Sequence, residues 1–356
     1  MKHKVYAAIM AGGAGTRFWP ASTADKPKQF LDVLGRGRTL LQETFNRFNT
    51  FIPAENIKVV SGDKYAELIK SQLQTGDSVL INEPMMRNTA AAVALTAFEI
   101  SAEEPDALII MSPADHLIRK AAVFSEVLQN ALDFAAANDA LITVSIEPDS
   151  PHTGYGYIKK GEAEGDFFKV DQFTEKPDQT TAEKFIASGE FYWNAGIFVW
   201  SARSIVKAFF EYAPEIYQPL AKLYRKGKPS LEELNQVYQQ LPSISVDYAI
   251  MEKASNVYTI AGDFGWSDLG SWKTIYELSE KDKDQNSSSS GLKFSSVESK
   301  QNLVRGVDGK LYAFIGMENT ALIDTGEVVL VFPLDRDQDV KKILEKVRDE
   351  HGNQFD

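Results

Sequence analysis

The chain has 356 residues, of which 44% are apolar and 25% are charged, a composition typical of a globular protein with one or two domains. Its 50 acidic residues outnumber the 38 basic ones, and the net charge of -12 argues against binding to nucleic acid or to an anionic membrane. The absence of cysteine excludes disulfides, thiolate nucleophiles and cysteine-based zinc sites, and the four histidines lack the spacing of a helical zinc pair. Carboxylates must therefore bind any metal.

The N-terminal apolar run, residues 5–11, is too short for a secretory signal and continues directly into a glycine loop. No stretch of the sequence reaches the length of a membrane-spanning helix. We therefore expect a cytoplasmic protein that has no membrane partner.

The first 200 residues alternate short apolar runs with amphipathic stretches, as expected of βαβ units on a mostly parallel sheet. The predicted strands are residues 5–10, 57–61, 79–81, 107–111 and 141–146, and the predicted helices are residues 40–48, 63–73, 90–102 and 124–137. This pattern predicts a doubly wound α/β fold.

After residue 150 the pattern changes to longer connections and mixed strands, which we interpret as an extension of the same domain. Its predicted strands are residues 155–159, 167–173, 197–201 and 257–261, and its predicted helices are residues 202–211, 230–240 and 246–253.

A run of polar residues separates a small C-terminal module. Residues 281–290 contain only Lys, Asp, Gln, Asn and Ser, which predicts a flexible linker. Residues 302–331 alternate apolar segments with glycines and predict several short strands, and residues 337–348 predict an amphipathic terminal helix. We therefore divide the chain into a catalytic domain, residues 1–284, and a C-terminal domain, residues 285–356.

Three glycines, Gly12, Gly13 and Gly15, follow the first predicted strand directly. Glycine lets backbone amides approach an oxyanion closely and adopts positive φ angles, so this loop can bind phosphates. The pattern is not a Walker A loop, and it lacks the third glycine of a dinucleotide-binding fingerprint because residue 18 is phenylalanine. A purely structural turn between a strand and a helix is the alternative.

The segment that follows the glycine loop is cationic. From Arg17 to Arg38 it has five basic residues and two acidic ones, although the whole chain has a net charge of -12. Cations beside a loop of backbone amides suit a triphosphate. The alternative is a basic edge that is exposed to solvent.

Two aspartates are candidate metal ligands. Asp115 follows the predicted strand 107–111, at the end where ligands bind in open α/β sheets, and Asp268 lies in a turn rich in glycine and tryptophan, residues 262–272. Two carboxylates brought to one phosphate site would hold Mg²⁺ through hard oxygen ligands. Taken alone, each aspartate also fits a helix cap or a turn.

Residues 12–22 and 27–30 resemble the signature of the mannose-1-phosphate guanylyltransferase family. Sugar nucleotidyltransferases in general share only part of this pattern, whereas Phe18, Trp19, Ser22 and residues 27–30 are similar to the guanylyltransferase branch. Further segments that resemble the family are residues 83–90, 154–157, 175–177, 192–198, 245–253, 319–324 and 328–331. The resemblance implies a Rossmann-like, doubly wound mixed sheet, a small C-terminal left-handed β-helix and a terminal helix.

The resemblance also implies roles for individual residues. Arg17 and Lys28 would be catalytic, because they would bind the triphosphate and stabilise charge that develops during transfer. The nucleotide would contact Ala11, Gly12, Gly13, Gly15, Thr16, Glu83, Arg87, Asn88 and Asp115. The sugar phosphate would contact Gly156, Glu175, Lys176, Asn194 and Asp247. Mg²⁺ would bind Asp115 and Asp268.

Structural roles stay open for two of these segments. Asn88 or Thr89 can cap the alanine-rich helix that follows, and Arg87 can serve either the structure or the nucleotide phosphates. The segment 175–177, taken alone, fits a solvated charged turn.

The implied reaction transfers GMP from GTP to α-D-mannose 1-phosphate by in-line attack on the α-phosphorus and gives GDP-mannose and pyrophosphate. The β-helix of the family implies a homodimer, and we expect no isomerase activity. One alternative is the same chemistry with UTP or dTTP and glucose 1-phosphate. Another is a non-catalytic regulatory homologue, which is expected to lose Arg17, Lys28, Asp115 or Asp268, yet all four are present.

Overall fold

The computed structural model of this chain describes residues 3–13 and 15–356. Ala14, in the middle of the glycine loop, lies outside the described residues. The chain forms two compact units. The first, which we call the sheet unit, contains the residues up to 12, 45–114 and 118–266. The second, which we call the β-helix unit, contains residues 13–44, 115–117 and 267–356.

Eleven strands precede residue 268 among the described residues. In chain order they are β1 (Val5–Met10), β2 (Ile57–Gly62), β3 (Leu80–Glu83), β4 (Leu108–Pro113), β5 (Leu117–Ile118), β6 (Leu141–Ile146), β7 (Tyr157–Glu164), β8 (Phe167–Thr174), β9 (Phe191–Ser201), β10 (Val257–Ala261) and β11 (Trp266–Ser267). Apart from the two-residue strands β5 and β11, they form one nine-stranded sheet in the order β3-β2-β1-β4-β9-β6-β10-β8-β7.

The sheet is mixed. Strands β1, β2, β3 and β4 run parallel, whereas β9 is antiparallel to both β4 and β6. The central strands are apolar on both faces because helices cover both, and every residue of the β4 segment Leu108–Ser112 is buried. This arrangement confirms the predicted fold class.

Ten α-helices occur among the described residues. They are α1 (Leu40–Asn49), α2 (Ala66–Leu73), α3 (Asn88–Glu103), α4 (Ala121–Ala137), α5 (Gln179–Ser188), α6 (Ala202–Tyr212), α7 (Pro214–Tyr224), α8 (Leu231–Tyr238), α9 (Trp272–Leu278) and α10 (Val340–His351). Helices α5, α7 and α9 were not predicted from the sequence. The predicted helix 246–253 is instead a π-helical turn, Asp247–Met251, a conformation that is frequent at functional sites.

Six short strands make up the C-terminal β structure. They are β12 (Ser287–Ser288), β13 (Lys293–Val297), β14 (Leu303–Arg305), β15 (Leu311–Ile315), β16 (Thr320–Asp324) and β17 (Val329–Pro333). One sheet has the order β12-β14-β16-β17 and the other pairs β13 with β15. All of these pairings are parallel except that of β16 with β17, so successive turns of the chain stack on one another as in a β-helix.

The prediction of a flexible linker at residues 281–290 is wrong. Asn286 and Ser287 are buried. Asn302 Nδ2 donates to Asn286 Oδ1 at 2.9 Å, and Thr320 N donates to Asn302 Oδ1 at 3.0 Å. These polar residues tolerate burial because a ladder of asparagine side chains satisfies their hydrogen bonds between successive turns.

The β-helix unit has its own apolar core, which joins distant segments. It contains Phe18, Trp19, Trp272, Leu303, Val340 and Leu344 among other residues. Helix α10 therefore packs through Val340 and Leu344 against the residues that follow the glycine loop. Trp19 Nε1 donates to the carbonyl of Phe355 at 2.7 Å, which ties the end of the chain to the same segment.

Two sequence-based expectations concern the chain as a whole. Within residues 3–13 and 15–356, no helix is both long and apolar enough to cross a bilayer. The division of the chain at residues 284 and 285 stays a prediction.

Candidate active site

The parallel strands of the sheet unit end at one edge. Register pairs Met10 with Val60 and with Pro113, and it pairs Gly62 with Glu83, so the carboxyl ends of β1 to β4 lie together. Ala11 and Gly12 directly follow β1 at this edge, where open α/β sheets bind their ligands.

Gly15 has a conformation and a site that require glycine. Its φ of +58° is in the left-handed region, and a Cβ there would lie 2.7 Å from Lys28 Cβ and 3.0 Å from Ser22 Oγ. Directly after it, Thr16–Phe18 form a single 3-10 turn that carries Arg17. Phe18 anchors this turn because its ring packs 5.1 Å from the ring of Trp272.

Lys28 is the most buried cation of this region, with 5% of its surface exposed. Its Nζ donates to Asp115 Oδ2 at 2.8 Å and to the carbonyl oxygen of Asp268 at 2.7 Å. Burial alone would raise the pKa of Asp115, but the Lys28 ammonium and His116 outweigh it and hold that pKa below its usual value. Asp115 is thus ionised at neutral pH.

The turn from Asp268 to Gly270 presents several oxygen atoms to the cations. The carbonyl of Gly270 accepts a 2.9 Å hydrogen bond from Arg17 Nη1, and Asp268 Oδ1 accepts from Gly270 N at 3.0 Å. Leu269 between them is fully buried and has a φ of +47°, which is unfavourable for a bulky residue by about 1–3 kcal/mol. The packing of Leu269 in the core of the β-helix unit compensates for this strain.

These residues surround a pocket of about 240 Å³ within the β-helix unit. It is lined by Gly15, Thr16, Arg17, Phe18, Lys28, Asp115, His116, Asp268, Gly270 and Lys341. Cations and carboxylates thus line the same small space, which suits a polyphosphate with a divalent cation.

The oxygen ligands that line the pocket fit a hard divalent cation. Asp115 and Asp268 supply carboxylate oxygens, and the described residues contain no group of three or more His, Asp or Glu side chains that could hold a metal. A cation that takes one or two protein carboxylates and completes its shell with phosphate oxygens and water matches this set.

A second group of predicted residues lies within the sheet unit. A Cβ on Gly156 would lie 2.5 Å from Glu175 Oε2 and 3.3 Å from Asn194 Cβ, so a larger residue there would displace the Glu175 carboxylate. Asn194 Nδ2 donates to Asp247 Oδ1 at 3.0 Å, and Lys176 Nζ lies 2.6 Å from Glu175 Oε1. All five residues predicted for the sugar phosphate are therefore neighbours.

The charges of this second group are strongly perturbed. Burial, together with the nearby charge of Glu175, raises the pKa of Asp247 to about 6. The same two causes raise the pKa of Glu252 above its usual value. Lys176 has a φ of +47° and its side chain is 62% exposed, so its ammonium is accessible to a ligand. A cation among carboxylates suits a ligand that has both a phosphate and hydroxyl groups.

Comparison with known proteins identifies the family. Residues 6–285 match the nucleotidyl transferase family, and residues 294–347 match the mannose-phosphate isomerase/GMP-like β-helix domain family. The mannose-1-phosphate guanylyltransferase of Klebsiella pneumoniae is 35% identical to this chain, with alignment over 98% of this chain and 74% of that protein. The chain belongs to the mannose-1-phosphate guanylyltransferase family. It is an enzyme, a nucleotidyltransferase.

Other proteins agree with this family. The mannose-1-phosphate guanylyltransferase of Salmonella typhimurium is 36% identical over 98% of this chain and 73% of that protein. A solved structure from Thermus thermophilus, described as a mannose-1-phosphate geranyltransferase, has a TM-score of 0.88 and 31% identity over 97% of this chain and 99% of that chain. It supports both the sheet and the β-helix of the predicted fold.

Two residues that the sequence analysis assigned to the nucleotide have structural partners in this family member. Arg87 Nε donates to the carbonyl of Tyr238 at 2.8 Å, and its Nη2 donates to the carbonyl of Gln239 at 3.0 Å, at the end of α8. Asn88 Oδ1 accepts from Thr89 N at 2.8 Å at the beginning of α3. The contacts of Arg87 favour its structural alternative. For Asn88 the expected cap is not formed, because no side chain caps the beginning of α3. A role of either residue at the nucleotide stays a prediction.

Glu83 lies at the end of β3 with 6% of its surface exposed. Tyr238 donates from its hydroxyl to Glu83 Oε1 at 3.4 Å, and burial raises the pKa of Glu83 to about 7 although this hydrogen bond opposes the shift. A carboxyl group poised between its two protonation states at neutral pH is therefore present at the carboxyl edge of the parallel strands.

Two groups of the pocket were not predicted from the sequence, the cation Lys341 and the carbonyl of Gly270. A backbone carbonyl cannot be recognised from residue types. Lys341 could not be recognised either, because a lysine in an amphipathic helix is usually on its solvated face.

Proposed function

We propose that this enzyme transfers GMP from GTP to α-D-mannose 1-phosphate and releases pyrophosphate. The observation that carries the proposal is the contact of Lys28 with Asp115 in a pocket that also contains Arg17 and Asp268. Its substrates are supported by the names of the relatives, which are mannose-1-phosphate guanylyltransferases. Sequence features shared with that branch, chiefly Phe18, Trp19 and residues 27–30, support the choice of guanine over uracil or thymine.

In this proposal the triphosphate lies in the pocket of the β-helix unit. Arg17 and Lys28 donate hydrogen bonds to phosphate oxygens, and backbone amides of Gly13, Gly15 and Thr16 contribute further donors. These donors are fixed in advance by the protein, so they stabilise charge on the leaving pyrophosphate without reorganisation.

We propose Mg²⁺ as the divalent cation, held by Asp115 and Asp268. When bound, it neutralises charge on the triphosphate and orients the phosphates for displacement. Lys28 already contacts Asp115 and the backbone of Asp268, so it keeps both residues of the metal site in place.

The sugar phosphate is assigned to the group in the sheet unit. Lys176 binds its phosphate, while Glu175, Asn194 and Asp247 accept or donate hydrogen bonds to the sugar hydroxyls. Gly156 leaves the space that Glu175 needs to adopt its position.

The chemical step needs no covalent intermediate with the enzyme. A phosphate oxygen of mannose 1-phosphate forms a bond to the α-phosphorus of GTP while the bond from that phosphorus to the bridging oxygen of the β-phosphate breaks. The nucleophile is already an anion, so no general base has to remove a proton. Positioning and charge stabilisation supply the rate enhancement.

We also propose that the protein forms a homodimer through its β-helix strands. Val297, Leu311 and Ile315 on β13 and β15 are between 59% and 79% exposed, and Val329 and Val331 on β17 are more than half exposed. Exposed apolar side chains grouped in this way are typical of an interface. Sedimentation of wild type and of Ile315→Glu tests this, with Leu231→Glu as a control on α8. A monomeric wild type contradicts the homodimer.

Pyrophosphate release across substrates tests the proposed reaction. The enzyme is given each nucleoside triphosphate with mannose 1-phosphate or glucose 1-phosphate, with and without Mg²⁺. The proposal expects the highest kcat/KM for GTP with mannose 1-phosphate and no turnover without a divalent cation. Equal or better turnover with UTP or dTTP and glucose 1-phosphate contradicts the choice of substrates.

A further inference from the structure

The terminal helix contributes a cation to the triphosphate pocket. Lys341, in the first turn of α10, lines this pocket together with Arg17, Lys28, Asp115 and Asp268. The pocket and α10 both belong to the β-helix unit, as does the glycine loop from Gly13 onward.

Lys341 has no local partner that would explain its position. Among residues 3–13 and 15–356 its ammonium forms no ion pair or hydrogen bond, whereas the adjacent Lys342 lies 2.6 Å from Asp339 Oδ1. A cation in the first turn of a helix is also disfavoured by the helix dipole, and the first turn of α10 has no acidic residue. Neither an ion pair nor the helix dipole therefore explains the position of Lys341.

The position of Lys341 is nevertheless fixed by packing. The residue before it, Val340, is buried with Leu344 in the core that also contains Phe18 and Trp19. Those two aromatic residues follow Arg17 in the sequence, directly after the glycine loop. The helix is thus held against the same segment that forms one wall of the pocket.

Lys341 adds a positive charge to the pocket. Among its arginine, lysine and aspartate side chains, Arg17 and Lys28 balance Asp115 and Asp268, and Lys341 makes the sum of these five positive. In a chain with a net charge of -12, a polyanionic substrate needs such a local excess of positive charge.

We infer that Lys341 binds the pyrophosphate portion of the nucleoside triphosphate, before and after that group leaves. Arg17 and Lys28 already donate to backbone carbonyls or to Asp115, whereas all three protons of the Lys341 ammonium are available for phosphate oxygens. The inference rests on the proposed function, because it deepens the account of the same pocket.

Steady-state kinetics of Lys341→Ala, Lys341→Arg and the matched control Lys342→Ala test this inference. Each variant is measured for the KM of GTP, the KM of mannose 1-phosphate, inhibition by inorganic pyrophosphate and the melting temperature. Loss of one charge-assisted contact should raise the KM of GTP and the inhibition constant of pyrophosphate about tenfold in Lys341→Ala. The KM of mannose 1-phosphate and the melting temperature should not change, and Lys341→Arg should recover most of the loss.

The possible failures are distinguishable. If wild type releases no pyrophosphate from GTP and mannose 1-phosphate, the proposed function is wrong. If wild type is active but Lys341→Ala binds GTP and pyrophosphate as Lys342→Ala does, this inference alone is wrong. A lower melting temperature with an unchanged KM for GTP would also overturn it, since the role of Lys341 would then be structural.

Discussion

Lys28 and Asp115 are in direct contact, with 2.8 Å between Nζ and Oδ2. Because the Lys28 side chain is 6% exposed, its ammonium has few partners other than Asp115, the carbonyl of Asp268 and a ligand in the pocket. A metal on Asp115 and a phosphate on Lys28 would therefore be adjacent, which is the arrangement that in-line displacement of pyrophosphate needs.

Replacement of Lys28 by methionine should lower kcat/KM for GTP by about 10²–10³, the usual effect of removing a fixed donor from developing charge. Lys26→Met is the matched control, because Lys26 lies in the same cationic segment and is exposed. Initial rates of pyrophosphate release measure both variants. Similar rates for the two would remove Lys28 from the catalytic residues.

Asp268→Asn should raise the Mg²⁺ concentration needed for half-maximal activity by about 10–100-fold or more, since even residues that only orient metal ligands have effects of this size. The asparagine oxygen can still accept the hydrogen bond from Gly270 N, so the turn should keep its conformation. Titration of activity with MgCl₂ measures the effect, and Asp263→Asn, on an exposed ion pair with Lys120, is the control. An unchanged Mg²⁺ requirement would remove Asp268 from the metal site.

Glu83→Gln should stabilise the fold above pH 7 and leave it unchanged below about pH 4. Burial raises the pKa of Glu83 from 4.5 to about 7, so the folded state binds this proton more tightly than the unfolded chain. The contribution of Glu83 to the free energy of unfolding is fully present below pH 4.5. It is lost as the pH rises to about 7, and the loss is on the order of 3 kcal/mol.

Chemical denaturation at several pH values measures this difference. Glutamine keeps an oxygen for the Tyr238 hydroxyl, so the change is mainly one of charge. Glu126→Gln, on the exposed side of α4, is the control. A constant difference in unfolding free energy between wild type and Glu83→Gln across this range would contradict the claim that burial raises the pKa of Glu83.

Arg87→Ala should destabilise the protein by about 2 kcal/mol, because two hydrogen bonds from a cation to the end of α8 are lost. The KM of GTP should stay within about twofold of wild type, since these contacts satisfy the guanidinium without a ligand. Denaturant unfolding and steady-state kinetics of the same variant separate the two roles. A large rise in the KM of GTP with unchanged stability would restore Arg87 to the nucleotide site.

Gly156→Ala should raise the KM of mannose 1-phosphate about tenfold or more, because its Cβ would lie 2.5 Å from Glu175 Oε2 and would displace that carboxylate. The KM of GTP should change little. Gly76→Ala, where a Cβ meets no atom within 4 Å, is the control. Equal changes in the KM values of both substrates would contradict the assignment of this group to the sugar phosphate.

The sequence predicted the residues of the pocket better than it predicted their surroundings. Arg17, Lys28, Asp115 and Asp268 carry charge within motifs at the ends of predicted strands, and they do line one pocket. Lys341 was not predicted, because the sequence pattern of its helix is the same whether the lysine faces solvent or a pocket. Only the packing of α10 against Phe18 and Trp19 determines which of these it faces.

Polar residues caused the other errors. The polarity of Asn286 and Ser287 led to the prediction of a linker, because polar residues are normally exposed. Stacked turns of a β-helix can nevertheless bury side-chain amides that form hydrogen bonds with one another. For Arg87 the sequence allowed a phosphate contact as readily as a structural role. The carbonyls that it binds, at the end of α8, are distant in the chain, and no local pattern reveals them.

The central claim is tested most directly by ³¹P NMR of the complete reaction. Purified enzyme, GTP, α-D-mannose 1-phosphate and MgCl₂ are combined, and the phosphorus signals are followed with time. The account predicts GDP-mannose and pyrophosphate in equal amounts, with loss of both signals when Asp115→Asn replaces wild type. GDP with inorganic phosphate, GMP with pyrophosphate but no sugar nucleotide, or no reaction at all would contradict it.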